Sequence, residues 1–271
     1  MLIMNVEKRT KVIKDWIDNY CKTTSFEPKS LVVGISGGID SSVLALSLSE
    51  QMDEEMLQTY SIAFSDPEFD ESSAQKKVVK HLGVANTEVL ITANSIREVF
   101  PQVVWQAEAP LFRTAPAPLF LLSRRVHEDG IKVVMTGEGA DEILLGYDLF
   151  RETAIRRFWS RSPNSKWRGS LLRRLYAYLP QYQNPRYFQM LLDFYKSHLS
   201  DNGDPHYAMS VRWANGIALQ SFFSDEMKSF VSANDPVTSL NAILPESYKK
   251  SDDIDRAQWI ECQTLLSNYL L

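Results

Sequence analysis

Leu31-Val32-Val33-Gly34-Ile35 runs without interruption into Ser36-Gly37-Gly38-Ile39-Asp40-Ser41-Ser42. The first five residues are a short, continuous apolar run rich in β-branched side chains, the pattern of a strand buried on both faces of a parallel sheet. Ser41 to Gln51 then reads as a helix. Two adjacent glycines, Gly37 and Gly38, let the backbone turn sharply and bring its N–H groups close to an anion. The helix behind them aims its unpaired N–H groups and positive dipole end at the same place. Phosphate oxygens suit that position, and the hydroxyls of Ser36, Ser41 and Ser42 add donors. The commoner nucleotide loop, G-x-x-x-x-G-K-[ST], supplies a lysine to the phosphates, whereas this one carries Asp40. A carboxylate beside phosphates requires a cation, so Asp40 is assigned as a Mg²⁺ ligand, directly or through water. The competing reading is a plain strand-to-helix turn in which the glycines bend the chain and Asp40 caps the helix.

The same order repeats downstream. The spacing predicts a strand over 57–64, a helix over 70–82, a strand over 87–91 and a helix over 95–105. A further helix ends at Glu128, and Asp129-Gly130 leads into a strand over 131–135. Such alternation predicts an α/β fold with a doubly wound, mostly parallel sheet. Upstream, Val12, Ile13, Trp16, Ile17 and Tyr20 recur at helical spacing and predict an amphipathic helix. Beyond Asp148 the pattern is mainly helical, broken at Pro180, Pro185, Gly203-Asp204-Pro205 and Pro236. The expected division is a nucleotide-binding part over 1–150 and a helical part over 151–271. An apolar stripe, Trp259, Cys262, Leu266, Tyr269 and Leu270, runs to the last residue with no Gly or Pro stop signal, so the helical part reads as truncated.

The carboxyl end of the 131–135 strand carries Thr136-Gly137-Glu138-Gly139-Ala140-Asp141-Glu142. Open α/β sheets bind ligands at that edge, which places this motif and the Ser36 loop in one crevice. Gly137 and Gly139 permit close backbone approach, while Glu138, Asp141 and Glu142 concentrate acid where a second metal contact and a general base are useful. Asp141 and Glu142 also fit as first-turn acids of the next helix.

A net charge of −5 argues against a surface built throughout for nucleic acid. Cys21 and Cys262 form no C-x-x-C or zinc spacing, which suits a reducing cytosol. No apolar run approaches the roughly 18 residues of a membrane span, so neither secretion nor a membrane anchor is expected. His81, His127, His198 and His206 show no metal spacing and read as structural.

With both motifs in place, the chain resembles the synthetase domain of glutamine-dependent asparagine synthetases and related β-lactam synthetases. The resemblance rests on Ser36 to Ser42, Tyr60 to Phe64, Phe69-Asp70-Glu71, Thr136 to Glu142 and Gly146-Tyr147. It implies the adenine-nucleotide α-hydrolase (PP-loop ATP pyrophosphatase) fold, with ATP and Mg²⁺ as cofactors. It also implies adenylation of the aspartate side chain, or of a related carboxylate, with pyrophosphate release, after which ammonia displaces AMP to give asparagine. By motif position, Asp40 and Asp141 resemble the Mg²⁺–pyrophosphate ligands and Glu138 the residue that assists ammonia attack. Gly34, Ile62 and Gly137 resemble the lining of the adenine and ribose site. From the start at Met1-Leu2-Ile3 and the stop at Leu271, neither the family's glutaminase half nor its later lysine-bearing segment is expected in this chain. A separate glutaminase, a complementing C-terminal polypeptide or a homodimer would fit this reading. The aspartate-recognition region falls at Glu108 to Pro118, where Arg113 is either a ligand or a solvated surface residue.

Two alternatives stay open. One is a tRNA-modifying ATPase with the same loop; the other is a nucleotide-binding half that is silent without another polypeptide. The first draws on residues 151–190, which hold nine Lys or Arg against one acid, Glu152, with Trp159, Trp167, Tyr176 and Tyr178 interleaved. A solvated helical face, its side-chain stems covering the core, is the preferred reading of that segment because the rest of the chain is acidic, and nucleic acid is not an expected partner.

Overall fold

The computed structural model describes residues 31–36, 38–50, 57–111, 113–175, 184–201 and 203–270. The amphipathic stretch around Val12 to Tyr20, and Gly37 itself, lie outside the described residues. By its internal contacts the chain divides into two compact units, Met1–Gly137 and Glu138–Leu271.

In the first unit, β1 (Leu31–Ile35), β2 (Leu57–Phe64) and β3 (Ala85–Ile91) form a parallel sheet in the order β1-β2-β3. Leu31 stands opposite Leu57, and Gln58 opposite Ala85. Parallel neighbours need a crossover, which α1 (Ile39–Ser49) and α2 (Ser72–Leu82) supply. Alternation along β1 sends Val33 and Ile35 to one face, where they pack with Ala45 of α1 and Leu82 of α2. Val32 goes to the other face with Tyr60 and with Val126 of the helix Pro116–Glu128. That helix, α4, is covered in turn by α3 (Ala93–Ala107) through Val99, Val103 and Ala117. Helices on both faces make this the doubly wound parallel sheet that the alternating sequence predicts.

The expected strand over 131–135 contracts to a single bridge between Val33 and Met135. The Met135 N–H donates to Val32 O at 2.8 Å and the Gly34 N–H to Met135 O at 2.9 Å. Ile131 is still in the turn that closes α4, its N–H bonded to Val126 O at 3.1 Å, and Lys132 and Val133 are exposed. The segment therefore reaches β1 only at its last residue. At the neighbouring strand end, Asp70 accepts from the Phe64 N–H at 3.1 Å and from the Ser72 hydroxyl at 2.7 Å. These bonds hold the Asp70 carboxyl below the usual carboxylate range and tie the end of β2 to the start of α2.

The second unit has no strand among its described residues. Its helices are α5 (Ala140–Leu144), α6 (Asp148–Ser160), α7 (Pro185–Lys196), α8 (Tyr207–Leu219), α9 (Asp225–Ala233), α10 (Pro236–Ala242) and α11 (Asp253–Glu261). A 3₁₀ helix, Arg168–Arg174, lies between α6 and α7, and a π-helix, Cys262–Leu270, continues α11. Trp159, Leu172, Phe188, Tyr195 and Val211 form one core cluster; Leu149, Met209, Tyr248 and Ile260 form another. A charge network built on buried Glu152 and Arg156 and reached from the surface by the exposed Arg212 crosses the unit. Glu152 accepts from Arg212 Nη1 at 2.9 Å and Nη2 at 2.7 Å, and from the Tyr195 hydroxyl at 2.7 Å. Arg156, one turn on, donates to Tyr207 O at 3.0 Å and lies 4.3 Å over the Tyr207 ring. Burial pushes its pKa down, against the pull of Tyr207 and Glu152. Removing a buried member of such a network leaves its buried partners short of a contact that water cannot replace. Arg156→Ala is expected to destabilise the protein by about 3–5 kcal/mol in urea unfolding, whereas exposed Arg151→Ala changes it by less than about 0.5 kcal/mol.

Candidate active site

In the first unit, the Ser36 loop joins the end of β1 to the start of α1. Ser41 is buried, 3% exposed, and its hydroxyl oxygen accepts from the Ser36 N–H at 3.0 Å and lies 2.9 Å from Ser36 Oγ. The Gly38 N–H reaches Ser36 Oγ at 3.3 Å, and the Ser42 hydroxyl donates to Gly38 O at 2.7 Å. Gly38 is the N-cap of α1, and no side chain caps that helix. Asp40, in the first turn, is exposed and does not act as the cap. The start of α1 thus offers backbone donors that no side chain of its own takes.

Gly137 meets this helix start directly. A Cβ there would come 3.1 Å from Ser41 N and 3.3 Å from Asp40 Cβ, which only glycine avoids without displacement. The Met135 bridge is what brings Gly137 to that point. At Gly34 a Cβ would meet only ordinary contacts, Thr136 Cγ2 at 3.9 Å and Met135 O at 4.0 Å, so the protein itself does not demand glycine there. Ile62 is half-buried in β2, with its carbonyl accepting from Gln75 Nε2 at 3.0 Å.

Glu138, Asp141 and Glu142 belong to the second unit. Gly139 holds the left-handed conformation (φ 87°) that turns the chain into α5, with Leu266 of the π-helix packed where a side chain would be. Asp141 fits against Gly146 so closely that a Cβ there would stand 3.0 Å from its carboxyl carbon and far closer to Oδ1. Glu142 is fully buried, not a solvent-facing first-turn acid. The Tyr147 hydroxyl donates to its Oε1 at 2.8 Å, while its buried Oε2 has no hydrogen-bond partner among the described residues. Glu138 keeps much of its surface exposed, and its partial desolvation, then Glu142 and Asp141, raise its pKa above the usual carboxylate range. Burial and Glu142 also push up the Tyr147 hydroxyl, and burial raises Glu261 despite the opposing pull of Arg212. Gln258 Nε2 donates to the free carbonyls of Glu142 (3.0 Å) and Ile143 (2.8 Å) and so closes the end of the short α5. The sequence reading missed Gln258 and Glu261, which lie too far along the chain for local spacing to connect them with Glu142.

A family model, asparagine synthase, matches residues 28–271. The chain belongs to the asparagine synthase family. Glutamine-hydrolyzing asparagine synthetase 1 of Bacillus subtilis (strain 168) is 31% identical over 130 residues, 48% of this chain and 20% of that protein. Glutamine-hydrolyzing asparagine synthetase B of Escherichia coli (strain K12) is 28% identical, over 49% of this chain and 24% of its own. Amidase chyE of Penicillium rubens is 32% identical, over 51% and 22%. The matched stretches thus span no more than 24% of these relatives' own lengths. A solved NH3-dependent NAD synthetase from Campylobacter jejuni, in complex with the nitrate ion, overlays 90% of this chain and 98% of its own at 16% identity and a TM-score of 0.38, too loose to support any inference.

For this asparagine synthase domain, exposed Asp40 and the acids crowded around Glu138 are hard oxygen donors of the kind Mg²⁺ prefers. Among the described residues no three His, Cys, Asp or Glu are gathered as a metal site. By donor type alone, each of these carboxylates is compatible with a hard cation. In the Glu108 to Pro118 region Arg113 is exposed, and a cavity of about 530 Å³ is lined by Pro101, Val104, Trp105, Glu108, Ala109 and Pro110. That lining offers no cation to an amino-acid carboxylate. Among the histidines, His206 is buried between Tyr248 and Asn241, with ring nitrogens 2.9 and 2.7 Å from their oxygens.

A carboxyl with a raised pKa holds its proton more tightly folded than unfolded. The folded state therefore loses stability as pH climbs from the ordinary glutamate value of about 4.3 through the raised one. Glu138→Gln is expected to raise Tm near neutral pH, with the gain vanishing as pH falls to about 4; thermal melts across that range check it.

Proposed function

We propose that this chain uses ATP to activate a carboxylate and convert it to an amide. The carboxylate oxygen attacks the α-phosphorus and pyrophosphate leaves; ammonia then attacks the acyl carbon, AMP leaves, and one proton is lost from nitrogen. The aspartate side chain, giving asparagine, is the first substrate to test, with the cytosol as the place of action. The observation that carries this reading is the uncapped start of α1, with Gly137 fitted against the Ser41 N–H. Family membership supports it as well.

In this reading the N–H groups at the start of α1, with the Ser36, Ser41 and Ser42 hydroxyls and the glycines at 37 and 38, hold the departing pyrophosphate. Gly34, Ile62 and Gly137 line the nucleoside. Mg²⁺, when bound, neutralises phosphate charge, and Asp40 and Asp141 are the residues proposed to hold it. Glu138 takes the proton from the attacking nitrogen, a role its raised pKa suits because transfer is most effective near the working pH.

The test measures AMP and pyrophosphate formation from ATP, aspartate and ammonium, alongside Mg·ATP binding. Asp40→Ala is expected to abolish both binding and turnover; unchanged binding in that variant overturns the assignment of the loop. Binding without turnover in the unaltered protein would favour a nucleotide-binding half that needs another polypeptide. Gly146→Ala is expected to lower Tm modestly, because the new Cβ meets the Asp141 carboxyl and lies 3.2 Å from its backbone Cα, while weakening Mg·ATP binding about tenfold, worth roughly 1.4 kcal/mol.

A further inference from the structure

Residues 153–192 contain eight Lys or Arg and no Asp or Glu, in a chain of net charge −5. For two of these cations the structure shows the ordinary use of a basic segment. Arg156 is buried against Tyr207, and Arg157 lies 3.8 Å from Asp252 and 3.9 Å from Asp253. The other six differ. Arg161, Lys166, Arg168, Arg173, Arg174 and Arg186 appear in no ion pair among the described residues, and all but Arg168 are exposed. Like charges held together without counter-charges repel one another, and an anion relieves that repulsion.

Aromatic rings are built into the same surface. The Arg168 guanidinium lies 4.4 Å over the Phe158 ring and 5.6 Å from that of Trp167, and the Arg173 guanidinium lies 3.9 Å over Phe188. The 3₁₀ helix that carries both arginines packs on α6 and α7. Trp167 is 60% exposed and Tyr187, beside Arg186 at the start of α7, is 56% exposed. Core-covering aromatics of this segment, such as Trp159 at 4%, are sealed; these two are not.

We propose that the surface formed by the 3₁₀ helix and the first turn of α7 binds single-stranded RNA. Its cations would meet phosphates, and Trp167 and Tyr187 would stack on bases. Exposed aromatic faces interleaved with unpaired cations match that chemistry, in which every base presents a π-face, and RNA loops present unstacked bases. The proposal stands apart from the amide-forming reading and uses none of its residues.

The test is fluorescence anisotropy of a labelled mixed-sequence RNA of about 16 nucleotides, titrated with the full chain at several salt concentrations. Four phosphate contacts predict a roughly 50-fold loss of affinity between about 50 and 200 mM salt. The exposed triple variant Lys166→Glu, Arg174→Glu, Arg186→Glu is expected to weaken binding at least about tenfold with unchanged circular dichroism. Trp167→Ala is expected to weaken it about fivefold to tenfold with the salt slope retained. Absence of saturable binding at low salt, equal binding by the triple variant, or tighter binding to poly-glutamate or to anionic lipid vesicles than to RNA overturns the proposal. Single-stranded DNA of the same sequence bound more tightly than RNA overturns the choice of RNA. If the triple variant loses its circular dichroism, the wild-type salt slope and Trp167→Ala decide.

Discussion

Where residues 135–137 meet β1 and the start of α1, main chain must approach main chain with almost nothing between. The Met135 bridge spends one donor and one acceptor on β1, and two residues later Gly137 lies against Ser41 N. A side chain at 137 would have to push one of these backbones away. The sheet, the Ser36 loop and the chain leading to Glu138 are therefore set by one tight crossing. The bonds from Asp70 hold the neighbouring strand end in a similar way.

Much of the first unit was legible because its signals are local. A five-residue apolar strand, two glycines and a following helix lie within one stretch of chain, and the strand-helix alternation after it follows from hydrophobic spacing. The expected fourth strand shows where such reasoning stops. Residues 131–135 have a strand's composition, yet the turn closing α4 runs as far as Ile131 and leaves room for a single bridge. Composition measures the preference of a segment; pairing depends on where its neighbours leave it.

The acidic motif was legible as residues but not as an environment. Nothing near Glu142 announces that Gln258 will take the carbonyls of its helix, or that Glu261 will add charge beside it. The closeness of Gly146 to the Asp141 carboxylate depends on a side-chain rotamer that no spacing encodes. The basic segment divides in the same way. Its charge can be counted from sequence, but which arginines are buried, paired or left facing water is settled only by packing.

The pair of hydroxyls at Ser36 and Ser41 has one more consequence. These groups already bond to each other, so a guest holding one of them exchanges one partner for another and gains little heat. Small monovalent ions, with few acceptor positions, profit least from such an exchange. An anion bearing several oxygens can replace the internal bond and still engage the helix N–H groups beside it. In its proposed role of holding phosphate, the loop would therefore favour guests by the number of their acceptors, a selectivity that needs no side chain dedicated to exclusion.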